Sequence, residues 1–225
     1  MSETQRHNPQ PSRAVEDYVK QIYKLTQAGR RATTKSLAQR MKLGQGTVSG
    51  MMKQLAQRGL VVHQPYYGAT LTNAGHELAM RMIRRHRLLE LFLVKTLNLG
   101  WDQVDDDAER LEHAVSDELV DHIDAMLGHP NVDPHGAPIP DRRGKMKEQD
   151  YRALSDMTVG QSGRIMRVSD REQQFLGFLR ENGLNLNAEV SVVAVGPFGS
   201  MTVKVGRRQT HLPREATERI WLIPV

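Results

Sequence analysis

TTKSLAQRMKLGQGTVSGMMKQLAQRGLVVHQPYYGATLT, residues 33–72, changes its apolar period twice, and that change decides the fold of the first part of the chain. Thr33 or Thr34 can cap a helix running to about Met41. Leu43-Gly44-Gln45-Gly46 is a glycine-containing break. A further helix follows over 46–58, closed by Gly59. Leu60-Val61-Val62-His63 then reads as a strand, Pro65-Tyr66-Tyr67-Gly68 as a turn, and 69–72 as the returning strand. Upstream, Val15, Tyr18, Val19, Ile22, Tyr23 and Leu25 form a helical stripe over 13–27, with Ser12 before it. Helix, helix, turn, helix and hairpin is the order of a winged helix-turn-helix. A small helical bundle that happens to carry a hairpin is the alternative.

Outward from this segment, Asn73 is placed to cap a long helix over 74–97. Its middle is basic (Arg81, Arg84, Arg85, Arg87) and its end is apolar. A second helix is expected over 105–127, with Ala108, Leu111, Val115, Leu119, Ile123 and Met126 on one side. Two long amphipathic helices behind a winged helix suggest a dimerisation unit. The 23 residues 128–150 contain four prolines and read as linker with partial order. After residue 160, short runs of alternating apolar and polar residues, such as Met201-Thr202-Val203-Lys204-Val205, predict a small β-barrel. One short helix over 172–181 interrupts them.

Composition narrows the function. The chain holds 225 residues, enough for more than one core, and no cysteine. Disulfides and thiolate metal sites are therefore excluded, a cytoplasmic protein is expected, and any metal must be held by oxygen and nitrogen. The start, 1–12, is polar and lacks the apolar core of a signal peptide. No run reaches a membrane span. Charge is segregated: residues 1–100 carry 16 Lys and Arg against 5 Asp and Glu, whereas 101–128 carry 1 against 10. The basic first part suits a polyanion such as nucleic acid. Within the acidic block, Glu109, Glu112 and His113 share one helix face at i, i+3 and i+4. Adjacent carboxylates repel unless a proton or cation lies between them. A divalent metal and a solvated acidic face are both open readings.

The order of motifs resembles one family. Glu16-Asp17-Tyr18, Ile22-Tyr23, Gly46-Thr47-Val48-Ser49, Arg58-Gly59-Leu60-Val61, Thr70-Leu71-Thr72, Arg85-His86-Arg87-Leu88-Leu89-Glu90, Glu112 through Glu118 and Pro134-His135-Gly136-Ala137-Pro138-Ile139-Pro140 run unbroken over about 12–140. They are similar to the metal-dependent transcriptional repressors typified by the diphtheria toxin repressor, the iron-dependent regulator and the manganese transport regulator. The resemblance implies a mainly α protein with an α+β part. Its regions would be a disordered N-terminal tail (1–12), a winged helix-turn-helix (13–73), a helical metal-binding and dimerisation domain (74–140), a linker (141–153) and a FeoA-like, Src-homology-like barrel (154–225). It implies a homodimer on palindromic double-stranded DNA, activated by metal and repressing metal-uptake genes, and no enzyme.

The resemblance also assigns residues. Asp17, Glu109, Glu112 and His113 become the primary metal site. His86, Glu90 and Asp105 become an ancillary site, with Glu172 or Gln174 as contributions from the barrel. Iron-responsive members place Met and Cys where this chain has Asp17 and Glu109, so the hard donor set favours Mn²⁺, with Fe²⁺ second. Lys20 stands where binuclear manganese regulators carry Glu, against a paired-metal cluster. DNA contacts are expected from Arg30, Arg31, Lys35, Gln45, Thr47, Ser49, Lys53, Gln54, Tyr66 and Tyr67. Two other classes remain. A metal-independent winged-helix regulator would carry a vestigial site. A metallohydrolase is favoured less, because Glu109-Arg110-Leu111-Glu112-His113 lacks the first histidine of the H-x-x-E-H motif and catalytic zinc sites carry more histidine.

Overall fold

The computed structural model describes residues 11–64, 67–170 and 172–225. The described residues divide into two compact units: 11–84 with 142–144, and 85–141 with 145–225.

In the first unit, α1 (Arg13–Gln27) buries Val15, Tyr18, Val19, Ile22, Tyr23 and Leu25 along its expected stripe. Helix α2 (Thr34–Met41) opens on a reciprocal cap. The Thr33 hydroxyl accepts from Ser36 N at 3.1 Å, and Ser36 Oγ accepts from Thr33 N at 2.9 Å. It ends at Lys42 in the left-handed region (φ 55°). Helix α3 (Gln45–Gln57) buries Val48, Met52 and Leu55, at i, i+4 and i+7, and turns its other face outward. Strands β1 (Val61–Gln64) and β2 (Gly68–Leu71) form an antiparallel wing, one residue displaced from the expected limits. An isolated bridge between Ala32 and Ala69 extends it. Gly68 has φ 101°, and a Cβ there would lie 2.8 Å from the Ala32 carbonyl oxygen, so the wing requires glycine.

Helix α4 (Asn73–Leu97) begins one residue earlier than expected. Its cap is Thr72, whose hydroxyl accepts from Gly75 N at 3.1 Å, rather than Asn73. In the second unit, Leu88, Leu89, Leu91 and Leu93 pack with Val104, Ala108, Val120, Ile123 and Ile139. The single helix expected over 105–127 is two: α5 (Asp105–Leu111) and α6 (Asp117–Met126). The amides of Ala114 and Val115 both turn back onto the Leu111 carbonyl, and the Ser116 hydroxyl caps α6 by accepting from Leu119 N.

The proline-containing segment is also more ordered than linker composition implies. Val132 and Pro138 form a β-bridge, and Asp133, His135, Ala137 and Ile139 are buried. The Asp133 carboxylate accepts from the amides of His135 and Ala137, which folds the chain into a tight loop.

The C-terminal part of this unit, the expected small barrel, is a six-stranded antiparallel sheet. Its strands are β3 (Arg152–Ala153), β4 (Ser162–Val168), β5 (Glu189–Val195), β6 (Met201–Val205), β7 (Arg208–Leu212) and β8 (Ile220–Pro224), in the spatial order β3-β8-β4-β5-β6-β7. Register shifts at Ile165/Arg167 and Val192/Ala194 bend it. Helices α7 (Gln173–Glu181) and α8 (Arg214–Thr217) add Phe175, Leu176, Leu179 and Ala216 to its core.

Two helical glycines give opposite expectations. A Cβ on Gly50 meets nothing within 4 Å, so Gly50→Ala should raise stability by about 0.5–1 kcal/mol. A Cβ on Gly75 would lie 1.9 Å from the Leu60 carbonyl oxygen, so Gly75→Ala should lower it by about 1–3 kcal/mol. Denaturant titration of both variants checks the two signs.

Candidate metal centre

Helix α4 places His86 and Glu90 one turn apart, inside the second unit. The His86 side chain is 4% exposed and that of Glu90 is fully buried. His86 Nδ1 lies 2.8 Å from Glu112 Oε2 and 3.6 Å from Glu109 Oε2. Its Nε2 lies 3.2 Å from Asp105 Oδ1 and 3.5 Å from Glu90 Oε1. Glu112, at the C-cap of α5, keeps helical dihedrals and bonds its amide to the Ala108 carbonyl. The helix face expected for Glu109, Glu112 and His113 thus survives although the helix ends there. Each of the three offers a ligand atom within 4.8 Å of the others. His86, Asp105 and Glu109 form a second such group.

A third group comprises Glu90, Asp133 and His135, all buried, with ligand atoms again within 4.8 Å of one another. The resemblance gives Asp133 no site and His135 no role. His135 Nδ1 is 3.8 Å from Glu90 Oε1 and 3.9 Å from Asp133 Oδ1. Both oxygens of Glu90, Oδ2 of Asp133 and Nδ1 of His135 are buried without a hydrogen-bond partner. Buried carboxylates in that condition are costly unless a cation or proton compensates them. Two carboxylates and an imidazole with an outward lone pair are donors of the type that a divalent first-row ion takes. Arg87 Nε stands 3.4 Å from Asp133 Oδ2 and supplies part of the compensation.

The electrostatics agree. Burial raises the Asp133 carboxyl, and the Glu90 charge raises it further. Arg87 and His135 oppose this, and it settles at about 6. Burial works to lower His135, yet the charges of Asp133 and Glu90, the Trp101 carbonyl and the charge of Asp170 hold it above its ordinary value. Burial likewise works to lower His86. It is overcome by the Glu90 charge and by hydrogen bonding to Asp105, Glu112 and Glu90, which hold His86 well above its ordinary value.

The barrel residue whose charge acts on the buried group is Asp170, just beyond β4. Glu172 instead faces Arg219, 3.3 Å away, and its side chain is 65% exposed. Gln174 is exposed on α7. Asp17 stands on α1 in the first unit, 3.9 Å from Arg13 Nε.

Of the residues expected to meet DNA, Gln45, Thr47, Lys53 and Gln54 are exposed on α3, and Ser49 is half-buried. Arg30, Arg31 and Lys35 are exposed near the wing, with the Arg31 guanidinium 5.7 Å from the centre of the exposed Tyr67 ring. Tyr66 lies outside the described residues. Gly46 and Gly50 leave the α3 surface bare where a Cβ would meet nothing.

Three family descriptions match the chain. Residues 12–69 match the iron dependent repressor, N-terminal DNA binding domain, and residues 72–141 match the iron dependent repressor, metal binding and dimerisation domain. Residues 152–224 match the FeoA domain. The diphtheria toxin repressor of Corynebacterium efficiens is 30% identical, over 80% of this chain and 82% of that one. The iron-dependent repressor IdeR of Mycobacterium tuberculosis is 28% identical, over 92% and 95%. A solved manganese-dependent transcriptional repressor in complex with manganese superposes with a TM-score of 0.84 at 37% identity, covering 94% of this chain and all of that one.

Asp133, His86 and His135 all have folded values above their unfolded ones. Each therefore contributes stability that is present below its unfolded value and lost as pH rises through its folded value. The metal-free protein should lose stability from pH 4 upward, first through Asp133 near 6 and then through the histidines. A divalent ion should stabilise it more at pH 8 than at pH 5, because the ion then displaces fewer protons. Calorimetry in chelator and in Mn²⁺ reads both trends. A flatter metal-free profile in Asp133→Asn is expected, and an unchanged one would count against the assignment.

Proposed function

The chain belongs to the family of iron-dependent, metal-dependent transcriptional repressors, and from that premise we propose that it is a Mn²⁺-activated repressor binding operator DNA as a homodimer. The observation that carries the metal dependence is the buried group of Glu90, Asp133 and His135, in which both Glu90 oxygens, Asp133 Oδ2 and His135 Nδ1 have no hydrogen-bond partner. A cation there would neutralise carboxylates that the fold has already removed from water.

We assign two metal positions to the second unit. One is held by Glu109, Glu112 and His113, to which the resemblance adds Asp17. The other is held by Glu90, Asp133 and His135, with Asp170 contributing charge. His86 lies beside Glu90 on one side and Glu112 on the other. The donors are carboxylate oxygens and imidazole nitrogens throughout. That hard set supports Mn²⁺ over Fe²⁺, although later divalent metals should also bind in vitro. When bound, the metal supplies positive charge and fixed coordination directions. The chain's own carboxylates at Glu90, Asp133, Glu109 and Glu112 would then lose their mutual repulsion.

For DNA, the exposed Gln45, Thr47, Lys53 and Gln54 of α3 suit the major groove. Arg30, Arg31 and Lys35 suit phosphates. With glycine at 46 and 50, side-chain readout of bases is sparse, and specificity is expected to draw on backbone contacts and DNA shape. Homodimerisation is supported by exposed apolar side chains on the helical part: Leu97, Leu111, Leu119 and Met126. Repression of metal-uptake genes completes the proposal.

The test is operator selection from genomic fragments at fixed ionic strength, with Mn²⁺, Fe²⁺ or chelator. Binding should require metal, with Mn²⁺ effective at the lower concentration. Glu112→Gln should abolish the metal response while sedimentation still reports a dimer. Asp17→Asn should weaken the response without changing Mn²⁺ binding at Glu90, Asp133 and His135. Equal binding in chelator would favour a metal-independent regulator.

A further inference from the structure

Between α4 and α5 the chain makes a turn at residues 100–103, closed by Gln103 N donating to the Gly100 carbonyl. None of its residues belongs to either metal position. The Trp101 carbonyl nevertheless accepts a hydrogen bond from His135 Nε2 at 2.7 Å. A carbonyl can only accept, so Nε2 carries the proton. In the neutral ring the lone pair is then on Nδ1, the nitrogen that faces Glu90 and Asp133. The Trp101 ring lies 5.6 Å from the imidazole, tilted by 31°, and packs against the core of the C-terminal sheet.

The next residue, Asp102, is buried and accepts from Arg180 Nη1 of α7 at 2.8 Å. A Cβ on Gly100 would lie 2.8 Å from Asp102 Oδ1 and 3.4 Å from Arg180 Nη1, so the ion pair and the glycine are fitted to one another. On its other side, the His135 carbonyl accepts from Val168 N of β4 at 2.9 Å. A Cβ on Gly136 would strike the Met166 carbonyl at 1.9 Å. The imidazole is thus held by two segments that are themselves held by the barrel.

We propose that Trp101, Asp102 and Arg180 are positioning residues for His135: the Arg180–Asp102 pair fixes the turn, and the Trp101 carbonyl fixes the tautomer and aim of the imidazole. The barrel thereby sets the metal affinity of a site whose buried ligands Glu90, Asp133 and His135 lie outside it. This rests on reading those three residues as a metal position. Partners that orient a metal-binding histidine through its second nitrogen are commonly worth about 10–100-fold in metal affinity.

The experiment uses the full chain in a Glu112→Gln background, which disables the other position, and compares it with added Arg180→Ala, Arg180→Lys or Gly100→Ala. Calorimetric titration with Mn²⁺ reads affinity. Imidazole ¹⁵N spectra, followed up a pH titration until the ring is neutral without metal, and with diamagnetic Cd²⁺, read the His135 tautomer. Arg180→Ala is expected to weaken Mn²⁺ binding about 10–100-fold and to mix the His135 tautomers. Arg180→Lys should restore most of both. Gly100→Ala, which removes no charge, should repeat the loss if Arg180→Ala proves unstable. Mn²⁺ binding within twofold of the parent, with an unchanged His135 spectrum, would overturn the proposal. Should the parent itself bind no Mn²⁺, the metal position fails, and the metal-free His135 spectra of parent and variants decide the positioning role on their own.

Discussion

The second unit depends on carboxylates that the fold has taken out of water. The side chains of Glu90, Glu112 and Asp133 are fully buried, and His86 and His135 stand among them. Like charges at such distances in a low-dielectric interior are tolerable only with compensation. Without metal, the compensation available is Arg87, the protons on the two imidazoles, and a raised Asp133 carboxyl. A divalent ion would replace several of these at once and would thereby couple its binding to local order. The leucine-rich face of α4 supplies the rigid wall against which this occurs.

The loop at 131–140 shows how an irregular segment becomes as fixed as a helix. Asp133 accepts from two amides of its own loop while presenting a second oxygen to the centre. Arg87 holds the loop from α4 through Asp133 and the Pro138 carbonyl. The barrel holds it from the opposite side through Val168 N and the close approach of Gly136 to Met166. The loop's order therefore comes from tertiary contacts, and proline composition alone could not reveal them.

Much of the molecule was legible in its residues for identifiable reasons. The winged helix-turn-helix announced itself through the stripe on α1, the Thr33 cap and the glycine after α3, all local signals. Glu109, Glu112 and His113 were legible because helical spacing makes neighbours of them, and His86 with Glu90 for the same reason. Asp133, His135 and Asp170 carried no such signature. They are brought together by loop folding and barrel docking over long sequence distances, and only quoted motif residues marked the place. Counting along the chain cannot tell which residue after β4 turns inward: Glu172 and Gln174, expected from the resemblance, are exposed, whereas the charge of Asp170 acts on the buried group. The break between α5 and α6 was locally encoded by Ser116-Asp117-Glu118, a plausible cap that the continuous apolar stripe concealed.

The central claim is that the buried carboxylates are cation ligands and not a strained core. Anomalous diffraction at the manganese edge from crystals grown in Mn²⁺ tests it most directly. A peak enclosed by Glu90, Asp133 and His135, with a second beside Glu109, Glu112 and His113, is the expected result. A map with no peak inside the buried group at saturating Mn²⁺ would contradict the claim.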